Sequence, residues 1–187
     1  MKTGLIYFFI FIVVFPNFST MAYEEADYSV VYKSEIYEIR NYKDRLVVEV
    51  VSKNDDNSFR KLFNYISGQN NKSEEIKMTV PVTQGKKNNA YYMQFYLPSK
   101  YTKENAPLPS NPDIKISTIK EGYFAVIQYS GRASNNNFLK HRDILNQRLL
   151  DDNIDISGPA IRATYNGPFT LPLLRRNEVM FKVLWNK

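Results

Sequence analysis

The hydrophobic and polar positions in the first half of the chain change from a two-residue period to a helical one. Residues 36–41 place Tyr37 and Ile39 opposite Glu38 and Arg40, and residues 45–51 form a compact β-branched run, so both are predicted to be strands. Residues 55–70 carry apolar side chains three and four positions apart, which predicts a short amphipathic helix. Its apolar face comprises Phe59, Leu62, Phe63 and Ile66. The polar residues 55–58 are its candidate N-caps.

The second half of the chain repeats this order of elements. Residues 114–131 read as two strands around a turn at 120–122, and residues 132–153 form a second amphipathic segment with Ser134 or Asn135 as its cap. Further strands are predicted at 91–98, 157–167 and 178–185. The repetition indicates duplicated β-α-β-β units. Since two amphipathic helices need a sheet to cover, we predict an α+β fold, a distorted antiparallel β-barrel flanked by two α-helices.

One predicted strand, at residues 74–84, has a proline near its middle. Ile76, Met78, Val80 and Val82 alternate with polar residues, yet Pro81 has no N–H for a sheet ladder. The segment is therefore expected to be an edge strand or a bulged one. Met78 then either faces an open groove as an adaptable contact or belongs to the ordinary core.

The N-terminus has the pattern of a secretory signal peptide. Lys2 supplies the positive charge, Leu5 to Phe15 is an unbroken apolar run of 11 residues, and Thr20-Met21-Ala22 is a cleavage site with small residues at both ends. We predict a signal peptide at 1–22 and one domain at 23–187, with an uncleaved membrane anchor as the alternative. The protein is then exported, periplasmic or secreted, and meets the membrane only through this segment.

Composition excludes several kinds of site. The chain has no cysteine and a single histidine, His141, which rules out thiolate chemistry and multi-histidine metal centres. No nucleophile–base pair is visible, and Glu74 and Glu75 would point to opposite faces of a strand, so no enzymatic activity is expected. A net charge of +6 without a basic stripe makes nucleic acid a poor partner, although weak attraction to an anionic ligand or membrane surface fits it.

Five motifs in register carry a resemblance to a known family. The segments YEIRNY (37–42), FRKLFNYISGQN (59–70), KMTVPV (77–82), MQFYLP (93–98) and YNGPFTLPLLRRNEV (165–179) follow the order and spacing of the SOUL/haem-binding-protein family. The match spans about residues 30–185, and the last motif is most similar to the bacterial-type members. The resemblance implies the duplicated barrel fold and the binding of haem or another tetrapyrrole without catalysis.

The resemblance also directs attention to an apolar groove between the first helix and the sheet. A porphyrin is a flat apolar plate with two carboxylates, so its site needs aromatic walls and cations at the rim. The candidate binding residues are Phe59, Arg60, Phe63, Met78 and Arg175. For the two phenylalanines and Met78 the alternative is ordinary packing on the sheet, and for Arg175 it is pairing that fixes the loop together with Arg176 and Glu178.

Two questions stay open at this level. His141 is the one imidazole that could ligate iron, but Lys140 and Arg142 flank it, which favours a surface or helix-packing role. The same groove could instead serve a non-catalytic binding module for another hydrophobic ligand or a protein partner. In either case we expect a monomer.

Overall fold

The computed structural model describes residues 23–53 and 57–186. Within them it has two α-helices, α1 (Ser58–Ile66) and α2 (Asn135–Asp151), and a 3₁₀ turn at Pro172–Leu174. The strands are β1 (Glu24–Glu25), β2 (Tyr28–Lys33), β3 (Glu38–Tyr42), β4 (Arg45–Ser52), β5 (Thr79–Val80), β6 (Val82–Lys87), β7 (Ala90–Tyr96), β8 (Ile114–Ile119), β9 (Gly122–Tyr129), β10 (Ile161–Thr164) and β11 (Asn177–Val183).

Nine of these strands form one curled antiparallel sheet. Its order is β2-β3-β9-β11-β10-β6-β7-β4-β8, and β1 and β5 form a separate parallel pair. The end strands β2 and β8 do not pair with each other, so the sheet is a half-barrel rather than a closed one. The predicted α+β fold, a distorted antiparallel barrel flanked by two helices, is confirmed.

The pairing of the strands also reveals the duplication. The segment β3-β4-α1-β6-β7 has its counterpart in β8-β9-α2-β10-β11. Each unit gives its first strand to the other: β3 pairs with β9 and β8 pairs with β4. Within the units the ladders β4-β7-β6 and β9-β11-β10 are equivalent, and β6 pairs with β10 to join them. The two units therefore interlock, and neither completes its sheet alone.

Three hydrophobic clusters hold the fold together. On the outer face, α1 packs on β4 and β7 through Leu62, Tyr65 and Ile66, while α2 packs on β9 and β11 through Leu145 and Leu149. The third cluster lies on the concave inner face. Since β10 and β6 stand between the strands that the helices cover, their outer faces lie between α1 and α2.

The prediction of an edge strand or a bulged strand at 74–84 is wrong. The structure divides this segment into β5 and β6, and the Val80–Pro81 peptide bond between them is cis. β6 pairs with β7 on one side and β10 on the other, so it is an internal strand. Pro81 is tolerated because it lies between the two strands, where no ladder hydrogen bond requires its nitrogen.

The helix caps agree only in part with expectation. The hydroxyl of Ser134 accepts a hydrogen bond from the backbone N–H of Asn137, as predicted for the start of α2. The cap of α1 is Asn57, one of the predicted candidates, but its backbone is left-handed and its side chain makes no capping bond. The candidates Asp55 and Asp56, like the predicted signal peptide at 1–22, lie outside the described residues. Neither described helix combines the length and the apolar character that crossing a bilayer requires.

Candidate functional site

The predicted groove residues on α1 form an exposed aromatic shelf, defined here as Phe59 and Phe63. Their rings stack with centroids 6.1 Å apart, and Phe59 meets Phe95 of β7 edge-on at 5.2 Å. The two side chains are 49% and 48% exposed, whereas Leu62 of the same helix is fully buried. The shelf exists because a short helix on a sheet buries one stripe and leaves its flank open.

The other three predicted site residues do not all gather at the shelf. Met78 is partly buried and packs on the same cluster as α1, and Arg60 is exposed on the helix surface. The guanidinium of Arg175 donates to the carbonyl oxygens of Thr170 at 2.8 Å and Pro168 at 2.5 Å. These contacts hold the loop between β10 and β11 in shape, which is the structural alternative considered for Arg175.

His141 packs against the sheet. Its ring stacks on Tyr129 with centroids 4.0 Å apart and an interplanar angle of 9°. Its Nδ1 lies 2.8 Å from the carbonyl oxygen of Asn137, which assigns the donated proton to Nδ1. Among the described residues, no cluster of three or more His, Asp or Glu side chains could hold a metal ion.

The concave inner face of the sheet is filled by a charged network centred on Glu178. This side chain is fully buried and accepts hydrogen bonds from Arg40 at 3.0 Å, Arg176 at 2.9 Å and the hydroxyl of Tyr165 at 2.8 Å. Arg176 also forms a bidentate pair with Glu25 of β1, at 2.9 and 2.8 Å. Because Arg40 and Arg176 are both paired with Glu178, this network has a structural role.

The pKa values in this network follow from burial and charge. Burial, and then the neighbouring Glu178 carboxylate, raise the pKa of Tyr165 far above its usual range. Burial by itself would lower the pKa of the Arg40 guanidinium. The negative charge of Glu178 has the larger effect together with the neighbouring tyrosines, so the pKa of Arg40 is raised. Tyr165 therefore stays protonated and Arg40 stays charged at any physiological pH.

A large open space lies beside α2. A cavity of about 790 Å³ separates the N-terminal half of this helix from the outer faces of β6, β7 and β10, and we call it the α2 cavity. This volume is in the usual range for small-molecule sites. Its lining is aromatic, polar and basic: Gln84, Gly85, Lys86, Tyr91, Tyr92, Asn135, Phe138, Leu139, Arg142, Asp143, Asn146, Pro159, Ala160, Arg162 and Phe181.

The cations of the α2 cavity are positioned by neighbouring rings and amides. Arg162 lies over the ring of Phe138, 4.5 Å from its centroid, and donates to Asn135 at 3.0 Å. Its Nε is buried and has no hydrogen-bond partner among the described residues. Lys86 lies 4.3 Å from the centroid of the Tyr91 ring. The cavity thus places two cations beside aromatic faces, which suits a flat ligand with carboxylates.

The position of one further lining residue, Tyr92, depends on a glycine inside a strand. A Cβ atom at Gly85 would lie 2.5 Å from the hydroxyl oxygen of Tyr92, so only glycine lets this ring lie against the backbone of β6. Burial raises the pKa of Tyr92 to about 12. Sequence reasoning missed the α2 cavity because four strands and a helix supply its walls, although a glycine within a strand is a known sign of close approach.

Comparison with solved structures shows the fold. The chain is similar to the C-terminal domain of EcmrR, with a TM-score of 0.60 and 12% identity over 79% of this chain and 96% of that one. It is also similar to a hydrolase from Listeria innocua, with a TM-score of 0.57 and 11% identity over 82% and 94% of the two chains. At such low identity these similarities concern the fold and not the activity.

Comparison with sequences is more specific. The family model described as SOUL heme-binding protein matches residues 23–182, which is most of the chain. No curated protein sequence matches it.

Proposed function

Because this chain belongs to the SOUL heme-binding protein family, we propose that it binds haem or a related tetrapyrrole in the α2 cavity. The family supports a haem- or tetrapyrrole-binding role. One observation favours this position. Arg162 lines a cavity of about 790 Å³ with aromatic walls, and its buried Nε has no hydrogen-bond partner among the described residues. Phe138 and Tyr91 would contact the faces of the ring, and Arg162 and Lys86 would pair with its carboxylates.

The residues of the α2 cavity fit the porphyrin ring better than they fit its iron. His141 is not among the lining residues, because its ring is turned to Tyr129 on the neighbouring part of the sheet. The lining offers two tyrosines but no imidazole. We therefore propose that affinity comes from ring contacts and carboxylate pairing, and that replacing His141 leaves binding intact.

The aromatic shelf on α1 is the other candidate position, and it is the one predicted from the sequence. Its support is the stacked, half-exposed pair Phe59 and Phe63 with Met78 packed on the same cluster. Arg60 is the nearest predicted cation on that helix, whereas Arg175 serves its own loop. The two positions lie on different elements, so single substitutions distinguish them.

A titration of residues 23–187 with ferric haem, followed through the Soret band, tests the proposal. We expect a saturable one-to-one change that Arg162→Gln weakens by about tenfold or more, because a charge-assisted hydrogen bond is lost. Phe63→Ala and His141→Ala should leave the affinity within about twofold. Weakening by Phe63→Ala and not by Arg162→Gln would move the site to the shelf. Absence of any saturable change would leave the alternative, a binding module for another hydrophobic ligand or a protein partner.

We also propose that the protein is exported, has no catalytic activity and is a monomer. The N-terminal pattern of a charged residue, an apolar run and a small-residue site supports export with cleavage after Ala22. The mature N-terminus, determined by mass spectrometry on protein from fractionated cells, checks this directly. A product that begins at Tyr23 outside the cytoplasm is expected, and an intact N-terminus would favour the uncleaved anchor.

A further inference from the structure

The loop between β10 and β11 presents an unusual group of exposed hydrophobic side chains. Phe169 is 99% exposed, Leu171 67%, Leu173 85% and Leu174 72%. Single exposed hydrophobic residues are ordinary, but four large ones within six positions form a contiguous apolar patch that marks an interaction surface. We call these four side chains the apolar tip.

The apolar tip is held in shape by the protein and is not a loose loop. Arg175 donates to two carbonyl oxygens of the loop, and the backbone N–H of Leu174 donates to Leu171 at 2.9 Å. The loop is tied to the body where Gly131 donates to Pro172 at 2.8 Å. Because its geometry is already fixed, contact with a partner requires little further ordering of the backbone.

The loop is also chemically suited to an apolar medium. Pro168 and Pro172 have no N–H to leave unpaired, and Arg175 satisfies two of the loop's carbonyl groups. Because few backbone polar groups of the loop are left without a hydrogen bond, moving it out of water costs little free energy. The tip projects outward, since all four of its side chains are largely exposed.

The charge around the tip indicates which apolar surface it meets. The two segments that meet at this end of the sheet, residues 129–137 and 164–177, contain no aspartate or glutamate. Of their three cations, Arg175 holds the loop and Arg176 is paired with Glu25 and Glu178, which leaves Arg132 as the exposed one. The exposed Arg132 adjoins Gly131, the residue that contacts the loop. An outward apolar tip with an exposed cation at its base matches the surface of an anionic bilayer.

We propose that the apolar tip inserts into the interfacial region of anionic lipid bilayers. Phe169 and the three leucines would enter the boundary between head groups and acyl chains, with Arg132 beside the lipid phosphates. The inference is separate from tetrapyrrole binding, because none of the four tip residues lines the α2 cavity or belongs to the α1 shelf.

The test places a fluorescent reporter on the tip of the full chain. Phe169→Trp is compared with Leu150→Trp, a control on α2 whose native side chain is 60% exposed, and the emission of Trp185 is subtracted using the wild type. Vesicles contain either phosphatidylcholine alone or an equal mixture with phosphatidylglycerol. Because the reporter senses the tip itself, membrane attachment through the apolar N-terminal segment does not mimic the result.

We expect a blue shift and quenching by bilayer-embedded quenchers for Phe169→Trp on the anionic vesicles, and neither for Leu150→Trp. Leu173→Ser together with Leu174→Ser should weaken tip insertion by about tenfold or more, since burial of one large apolar side chain already contributes that factor. Arg132→Gln should weaken it and lower its sensitivity to salt. No shift on anionic vesicles would overturn the proposal. So would a shift without vesicles that grows with protein concentration, which would make the tip a contact between copies.

Discussion

Glu178 is the single residue on which most polar contacts of the barrel interior depend. It is fully buried and receives both Arg40 and Arg176, so Glu178→Gln leaves two cations without their shared counter-charge. Breaking a buried ion pair from one side costs about 3–5 kcal/mol. We expect the free energy of unfolding, measured by urea titration at neutral pH, to fall by about 3 kcal/mol or more.

An exposed ion pair offers the matched control for this substitution. Asp113 accepts a hydrogen bond from Lys61 at 2.6 Å, and both side chains are open to solvent. Asp113→Asn should therefore change the free energy of unfolding by only about 0–1 kcal/mol. Equal losses in the two variants would contradict the structural role given to Glu178.

The limits of prediction from sequence are clear at the scale of residues. Helical periodicity correctly predicted the apolar face of α1, but it did not show that two members of that face, Phe59 and Phe63, are half exposed. Sequence also indicated that Arg176 and Glu178 pair. It gave no sign of Arg40 in the same network, because Arg40 reaches Glu178 across 138 positions through strands that become neighbours only in the folded sheet.

At the scale of elements, α2 offers a direct test of which face holds the fold together. Leu149 is fully buried against β9 and β11, and its neighbour Leu150 is 60% exposed. Leu149→Ala removes packed methyl groups and should lower the free energy of unfolding by about 2–5 kcal/mol. Leu150→Ala, the same chemical change, should stay within about 0.5 kcal/mol. Thermal and urea unfolding of both variants measure the difference, and similar losses would mean that α2 is packed in another orientation.

Helices and strands with one buried face were predicted from the sequence, whereas a strand without a buried face was missed. Both helices and most long strands were located from their periods. β2 was missed because it is an edge strand whose positions after Tyr28 are all exposed, so no alternation marks it. The segment at 74–84 was misjudged because its alternation runs through Pro81 without showing that the chain changes partners there.

For the whole molecule, the repeated order of elements was enough to predict the barrel but not the position of the cavity. The duplication shows that each half contributes the same kinds of element. The α2 cavity joins β6 and β7 of the first half to β10 and α2 of the second, so it exists only because the units interlock. Sequence patterns describe elements one at a time and do not contain this relation.

Alkaline conditions test the whole fold, because several tyrosines are buried in it. Burial raises the pKa of both Tyr65 and Tyr92 to about 12, and raises those of Tyr42 and Tyr165 still further. In the unfolded chain these groups ionise near pH 10. Above that pH the unfolded state has lost protons that the folded state keeps, so the free energy of unfolding must fall as the pH rises.

Tyr92→Phe shows how much of the decrease in the free energy of unfolding at alkaline pH comes from a single tyrosine. Among the described residues the Tyr92 hydroxyl makes no hydrogen bond, so the substitution removes a titrating group without removing a bond, and stability at neutral pH should change little. Between about pH 10 and pH 12 each such tyrosine lowers the free energy of unfolding by up to about 1.4 kcal/mol per pH unit. Urea unfolding across this range should show a shallower decline for the variant than for the wild type. Parallel declines would mean that Tyr92 ionises equally in both states, and the packing of its ring against Gly85 would then be incorrect.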